Sequence, residues 1–207
     1  MTESPAEPVA LKAALREQAR KNRVAQPDKD AVSQRIVVAF MALPEYVAAK
    51  TVLLYVDAGS EVRTRHSLAG AIASGKRIVV PYCIVETNQL ELFHLEDVTE
   101  LVEGAYKILE PKVELRGLPG KRVAPEELDL VMVPGTGFDL RGARMGQGKG
   151  YYDRLLTGAR PDAPLIGVAF DCQVFDTIPV AAHDVFMDAV LTETRLIRGV
   201  GRSQKPV

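Results

Sequence analysis

Tryptophan is absent from this chain, and cysteine and histidine are scarce, at two and three residues among 207. Each shortage excludes something. Cys83 and Cys172 are too few for the disulfide framework of a small secreted domain. Both follow strand-like apolar runs and read as buried thiols of a reducing cytosol. His66, His94 and His183 are scattered and build no cysteine–histidine cluster of the kind that holds zinc. A net charge of −1 gives no global pull toward nucleic acid or an anionic membrane. No apolar run approaches the ~18 residues that a membrane-spanning helix needs. The opening MTESPAEPVA lacks a basic region followed by an apolar one, so no signal peptide is read there. What is present, 47% apolar and 26% charged residues, suits an ordinary globular protein with a substantial core.

The apolar residues set the expected elements. Leu11, Leu15 and Ala19 recur at steps of four and predict a helix over Val9–Ala25. A second helix is predicted over Asp28–Leu43, with Val32, Ile36, Val37 and Phe40 on its apolar face and Pro44 ending it. Thr64 is expected to cap a third helix that Gly75 stops. Runs of apolar residues predict strands at Thr51–Asp57, Arg77–Tyr82, Leu128–Val133 and Leu165–Phe170. An alternating strand is expected at Leu90–Leu95, and a last short one at Asp188–Leu191. Residues 104–124 read as a long irregular connection. Continuous apolar strands alternating with helices predict one α/β/α three-layer domain, Rossmann-like, with a mainly parallel sheet. Its expected span is residues 9–198, between flexible tails at 1–8 and 199–207. In such folds ligands gather at the carboxyl ends of the strands, here Asp57–Glu61, Pro81–Tyr82 and the loop from Pro134.

That last loop reads PGTGFDLRGARMGQGKGYYD over residues 134–153. Glycines let a backbone adopt positive φ and bring N–H groups close to an anion. Lys149 can neutralise a phosphate, and Asp153 can hold a divalent cation. Tyr151 and Tyr152 add flat apolar faces with hydroxyl tips. Strand, glycine-rich loop and helix commonly cradle nucleotide phosphates. The string is not a Walker A loop, because Gly150 follows Lys149 where that motif has serine or threonine. A tight turn rich in glycine for packing alone is the competing reading. The competing reading of Asp153 is a helix N-cap or first-turn acid, and spacing alone reads Lys12 and Arg16 as part of a solvated basic face with Arg20, Lys21 and Arg23.

Across nearly its whole length the chain resembles the 5-formyltetrahydrofolate cyclo-ligases, also called 5,10-methenyltetrahydrofolate synthetases. The resemblance rests on Lys12-x-x-Leu15-Arg16, Glu61-x-x-Thr64 and Gly104-x-Tyr106 to Glu110-Pro111. It continues through Pro134-Gly135 to Phe138-Asp139 and the core run Arg144 to Asp153. Pro179-Val180 to His183-Asp184 and Asp188 to Thr192 close it. It implies an enzyme for which ATP phosphorylates the formyl oxygen of 5-formyltetrahydrofolate. N10 then attacks the activated carbon, giving 5,10-methenyltetrahydrofolate, ADP and phosphate. The family's ATP contacts map onto Lys12, Arg16 and the loop Arg144, Met145, Gly146, Gln147, Gly148, Lys149, Gly150, Tyr151 and Tyr152. Arg144 and Lys149 become the catalytic candidates. Its folate contacts map onto Val56, Glu61 and the Gly148–Tyr152 end of that loop, and its magnesium pair onto Asp153 and Asp184. Gln147 departs from the arginine of many relatives, and Lys107 from a frequent glycine. A cytoplasmic monomer acting on small molecules, with no nucleic acid or membrane partner, is the expectation.

Two other classes fit parts of the chain. A sugar-phosphate isomerase or CoA-transferase-like enzyme on a related fold would need no ATP and would leave the Gly148–Tyr152 run unexplained. An RNA-binding module using the basic first helix would need interleaved aromatics, and residues 9–25 contain none.

Overall fold

The computed structural model describes residues 6–181 and 184–202. Its centre is an eight-stranded sheet. In chain order the strands are β1 (Thr51–Leu53), β2 (Arg77–Ile84), β3 (Gln89–Leu95), β4 (Arg122–Val123), β5 (Leu130–Pro134), β6 (Leu165–Val168), β7 (Ala189–Leu191) and β8 (Leu196–Arg198). They lie in the spatial order β8-β7-β6-β5-β1-β2-β3-β4. The five inner strands from β7 to β2 pair in parallel, and β3, β4 and β8 add antiparallel edges.

Side chains alternate across this sheet, as pleating demands. Val52, Ile78, Val80, Met132 and Ile166 face one way. They pack under α2 (Lys29–Met41), α3 (Pro44–Ala48) and α4 (Leu68–Ala73). Leu53, Val79, Val131, Val133 and Val190 face the other way, toward Leu155 and Leu156 of α5 (Tyr151–Gly158). Both faces are therefore covered, which is why the inner strands read as unbroken apolar runs.

The connections decide where a ligand can bind. From β1 the chain moves to β2 on one side; from β5 it moves to β6 on the other. β1 and β5 are neighbours. Their carboxyl ends thus diverge and open the crevice expected at a topological switch point.

Helix α1 (Ala6–Ala25) crosses this crevice region. It begins before the expected Val9, so residues 6–8 are helical rather than tail. Of the expected face, Leu15 and Ala19 turn inward but Leu11 is exposed; the inward face also carries Lys12, Arg16 and Arg23. Leu15 packs on a small cluster of Ala143, Met145, Ile178 and Phe186. That cluster lies beneath a three-stranded sheet in which Gly137–Asp139 pairs with Arg144–Met145 and Val174–Phe175.

Other expectations change in detail. Pro44 ends α2 by starting α3, where its missing N–H is harmless. Thr64 does not cap the turn beyond it; its hydroxyl donates to the Tyr55 carbonyl at 2.5 Å. The stretch 104–124 is less irregular than expected, because Leu101–Glu103 pairs with Leu109–Pro111 and β4 joins the main sheet. Residues 199–202 are not a loose tail. Gly199 and Val200 donate to the Asp188 and Arg141 carbonyls, and Arg202 donates to the carbonyls of Ala159, Pro161 and Ala163. Both cysteines are free, and both are half-exposed rather than buried. His183 and the ends 1–5 and 203–207 lie outside the described residues.

Candidate active site

The crevice holds a cavity of about 320 Å³. Its walls come from the segments after β1 (Val56, Ala58, Glu61), after β5 (Pro134, Gly135, Thr136) and from the glycine loop that leads into α5. Pro81, Cys83, Leu90 and Ile108 make one side apolar. This is the shape that suits a flat heteroaromatic ligand: apolar faces with a few polar groups at the rim.

The glycine loop is bent by two residues in the left-handed region, Gly148 at φ 97° and Gly150 at φ 71°. A side chain is strained at either position. Gly150 immediately precedes α5, so the backbone N–H groups of the first turn point out of the helix toward the loop. Arg154 clamps the turn from behind through the Lys149 carbonyl at 2.8 Å.

Cations surround this loop. Arg144 is 6% exposed. Its Nη2 donates to Asp153 Oδ1 at 2.6 Å and its Nη1 to the Pro134 carbonyl at 3.2 Å. From α1, Arg16 Nε donates to the Gly146 carbonyl at 3.1 Å. Lys12 Nζ donates to Asp184 Oδ2 at 2.6 Å. Arg20, expected on a solvated face, also reaches the loop and donates to Gln147 Oε1 at 3.1 Å. A positive charge thus lies beside Gln147 although that residue carries none. Lys149 is exposed; its Nζ donates to the Tyr106 hydroxyl at 2.8 Å and lies 4.3 Å from that ring's centroid.

The opposite wall carries Glu61. Its Oε2 accepts from the Ala58 N–H at 3.0 Å, and its Oε1 lies 3.7 Å from Arg23 Nη1. Burial raises its carboxyl above the usual range, and Arg23 opposes that rise. Val56 is buried beside it. Burial likewise raises the Tyr152 phenol, whose hydroxyl finds no partner in the protein. Thr136 Oγ1 and Arg144 Nε share that condition. Unsatisfied buried polar atoms are rare and need an explanation. These three belong to residues that line the cavity, where a polar ligand would offset their cost, whereas Glu45 Oε2, Tyr46 Oη and Arg202 Nε are unpartnered away from it.

Of the residues expected at the site, Val56, Glu61, Arg144, Gly146, Gln147, Lys149, Gly150, Tyr151, Tyr152 and Asp153 line the cavity. Lys12 and Arg16 flank the loop from α1. Met145 is fully buried in the small cluster, which leaves its side chain away from the cavity. Asp153 and Asp184 each face a cation, Arg144 and Lys12. Among the described residues no group of three metal-ligating side chains is present. Asp153, partly exposed on the first turn of α5, fits the sparse mode in which magnesium takes one carboxylate and phosphate oxygens.

Sequence reasoning missed several neighbours. Arg23 looked like surface and is 5% exposed. Cys83 looked like core and lines the cavity, where burial and the nearby Glu110 push its thiol up to about 11. Glu110 itself is buried; it accepts from the Cys83 N–H at 3.0 Å and pairs with Arg116 at 3.4 Å. Tyr106, at φ 56°, and Lys107, at φ 59°, form a bend at the rim. Glycine would adopt the Lys107 conformation without strain.

Comparison with known proteins agrees with this geometry. The sequence matches the model of the 5-formyltetrahydrofolate cyclo-ligase family over residues 8–193. It is 31% identical to a probable 5-formyltetrahydrofolate cyclo-ligase of Schizosaccharomyces pombe, covering 83% of this chain and 88% of the relative. It is 29% identical to the 5-formyltetrahydrofolate cyclo-ligase of Escherichia coli, covering 86% and 96%. A solved structure of 5,10-methenyltetrahydrofolate synthetase from Aquifex aeolicus superposes with a TM-score of 0.77 at 34% identity, over 95% of this chain and 97% of that one. The Mycoplasma pneumoniae synthetase superposes at 0.67 with 26% identity, over 88% and 98%. With the family match spanning the crevice, the glycine loop and α1 alike, the chain belongs to the 5-formyltetrahydrofolate cyclo-ligase family.

Proposed function

We propose that this protein closes 5-formyltetrahydrofolate to 5,10-methenyltetrahydrofolate at the expense of ATP. Family membership supports the reaction, and the crevice between the ends of β1 and β5 supports its location. The observation that carries the reading is the meeting of two half-sites in one cavity. An apolar wall with Glu61 faces a positive-φ glycine loop ringed by Arg144, Lys149 and Arg16.

In this reading the triphosphate lies along Gly146–Tyr152, against the first-turn N–H groups of α5, with Lys12 and Arg16 on its outer side. Arginine suits phosphate oxygens because it can donate two parallel hydrogen bonds. The pterin lies against Val56 and Tyr152, and the Glu61 carboxylate accepts from its amino and ring N–H groups. The formyl oxygen attacks the γ-phosphorus, the bond to the β–γ bridging oxygen breaks, and ADP leaves. N10 then adds to the formyl carbon and loses its proton, and the carbon–oxygen bond breaks to release phosphate. The protein's contribution is orientation and charge. Arg144 and Lys149 neutralise the transferring phosphoryl group, and the walls hold N10 near the carbon. Asp153 would hold magnesium, with Asp184 as its second candidate, and the ion would neutralise phosphate charge. The free thiols of Cys83 and Cys172 support a cytoplasmic setting.

The test is direct. Purified protein, magnesium-ATP and 5-formyltetrahydrofolate should generate the methenyl chromophore, followed by absorbance, with one ADP per product. No chromophore under these conditions would overturn the assignment. ATP-independent turnover of a sugar phosphate would favour the isomerase reading instead.

A further inference from the structure

Arg23 is a buried cation at the crevice that the reaction above leaves unused. It lies in the last turn of α1, among basic residues that look solvated in the sequence, yet it is 5% exposed. A buried guanidinium persists only where protein groups replace its water. Its partners all belong to the crevice. Nε donates to Ser60 Oγ at 2.9 Å, and Nη1 donates to the Gly135 carbonyl at 3.4 Å and lies 3.7 Å from Glu61 Oε1. Ser60 follows β1 and Gly135 follows β5, so one planar cation spans both lips of the switch point. The far oxygen of Glu61 is fixed by the Ala58 N–H. The carboxylate is therefore held from two sides, by a helix and by its own loop.

We propose that Arg23 is a positioning residue for the folate half of the reaction: it fixes the orientation of the Glu61 carboxylate. This rests on the reading of Glu61 as the pterin contact. The groups that act on Glu61 are Arg23 from α1, Asp57 and Tyr55 from the segment after β1, and Tyr152 from α5. Of these four, Arg23 is the cation. Burial and Asp57 favour the protonated carboxyl; Arg23, and after it the Ala58 N–H, favour the ionised one. Without Arg23 the carboxyl keeps its proton to higher pH, and a protonated Glu61 accepts one hydrogen bond fewer from the pterin.

The test compares KM values for 5-formyltetrahydrofolate and ATP in wild type, Arg23→Gln, Glu61→Gln and the double variant across pH. Arg23→Gln should raise the folate KM about tenfold at neutral pH and leave the ATP KM within about twofold. The acid rise of the folate KM should begin about one pH unit higher. In the Glu61→Gln background, Arg23→Gln should change the folate KM by less than about twofold, because both act through one carboxylate. Equal rises in both KM values, or additive effects in the double variant, would overturn the inference. If Glu61→Gln alone leaves the folate KM unchanged, the pterin reading of Glu61 fails and the role of Arg23 falls with it. If Glu61→Gln raises that KM and Arg23→Gln does not, the role of Arg23 alone fails. Should Arg23→Gln not fold, Arg23→Lys and Ser60→Ala serve instead. A selective folate-KM rise in Ser60→Ala, with the acid limb kept in Arg23→Lys, supports the inference; no selective change in either overturns it.

Discussion

Replacing Arg144 by methionine tests whether one buried cation both holds the loop and serves the reaction. Methionine keeps most of the apolar stem and removes the charge. Two hydrogen bonds disappear: the 2.6 Å bond to Asp153 and the 3.2 Å bond to the Pro134 carbonyl. Breaking a fully buried ion pair costs about 3–5 kcal/mol, because the remaining charge is stranded. Asp153 is 30% exposed, so water reaches it, and a loss of about 2 kcal/mol, typical of a hydrogen bond to a charged group, is the better figure. The Pro134 carbonyl adds about 1 kcal/mol. Together these amount to about 3 kcal/mol, or about 6–12 °C in Tm for a chain of this size. Adding Asp153→Asn removes the stranded carboxylate and should return about half of that loss. Turnover should fall about 10²–10³-fold in both variants, as expected when one preorganised charge at a phosphoryl-transfer site is lost. Scanning calorimetry and the methenyl absorbance assay measure the two effects separately. A Tm within 2 °C of wild type would show that the Arg144–Asp153 pair contributes little to the loop. Turnover near wild type would remove Arg144 from the chemistry.

Lys149→Ala should lower turnover about 10²–10³-fold with little change in Tm, because the residue is an exposed loop lysine; a thermal melt beside a turnover assay checks both, and near wild-type turnover rejects its role. Asp153→Asn and Asp184→Asn should each raise the magnesium concentration needed for half-maximal activity. The double variant should cost less than the two together if both act through one ion, and strict additivity with an unchanged requirement breaks the pairing. Cys83, raised to about 11, is mostly the unreactive thiol at pH 8. Its alkylation by iodoacetamide should be at least about tenfold slower than that of an ordinary cysteine and should quicken steadily toward pH 11. A rate matching free cysteine at pH 8 contradicts the crevice environment described for it.

Much of the architecture was legible because its signals are local. Strands β1, β2, β5 and β6 are buried on both faces and therefore read as continuous apolar runs. The turn into α5 was legible because positive φ at Gly148 and Gly150 demands glycine, and the glycines announce it. Placing Asp57–Glu61, Pro81–Tyr82 and the loop from Pro134 on one rim followed from the expectation of a mainly parallel sheet, since parallel strands deliver their loops to one edge. The family motifs then attached roles to the residues of that edge.

Tertiary structure decided which charges matter. In sequence Lys12, Arg16, Arg20 and Arg23 are one basic helix, and nothing within that segment ranks them. Their partners are Asp184, Gly146, Gln147 and Glu61, more than thirty positions away in every case. Periodicity chose Leu11, Leu15 and Ala19; the last two dock, but the stripe runs on to Arg23 rather than back to Leu11, because the crevice offers a carboxylate and a carbonyl there. The same limit applies to residues 199–202, which look polar and loose until Arg202 meets the carbonyls of Ala159, Pro161 and Ala163. Backbone geometry and apolar period are written into neighbouring residues and can be read there. The partner of a buried charge is set by which distant loops the sheet brings together, and only the folded chain contains that information.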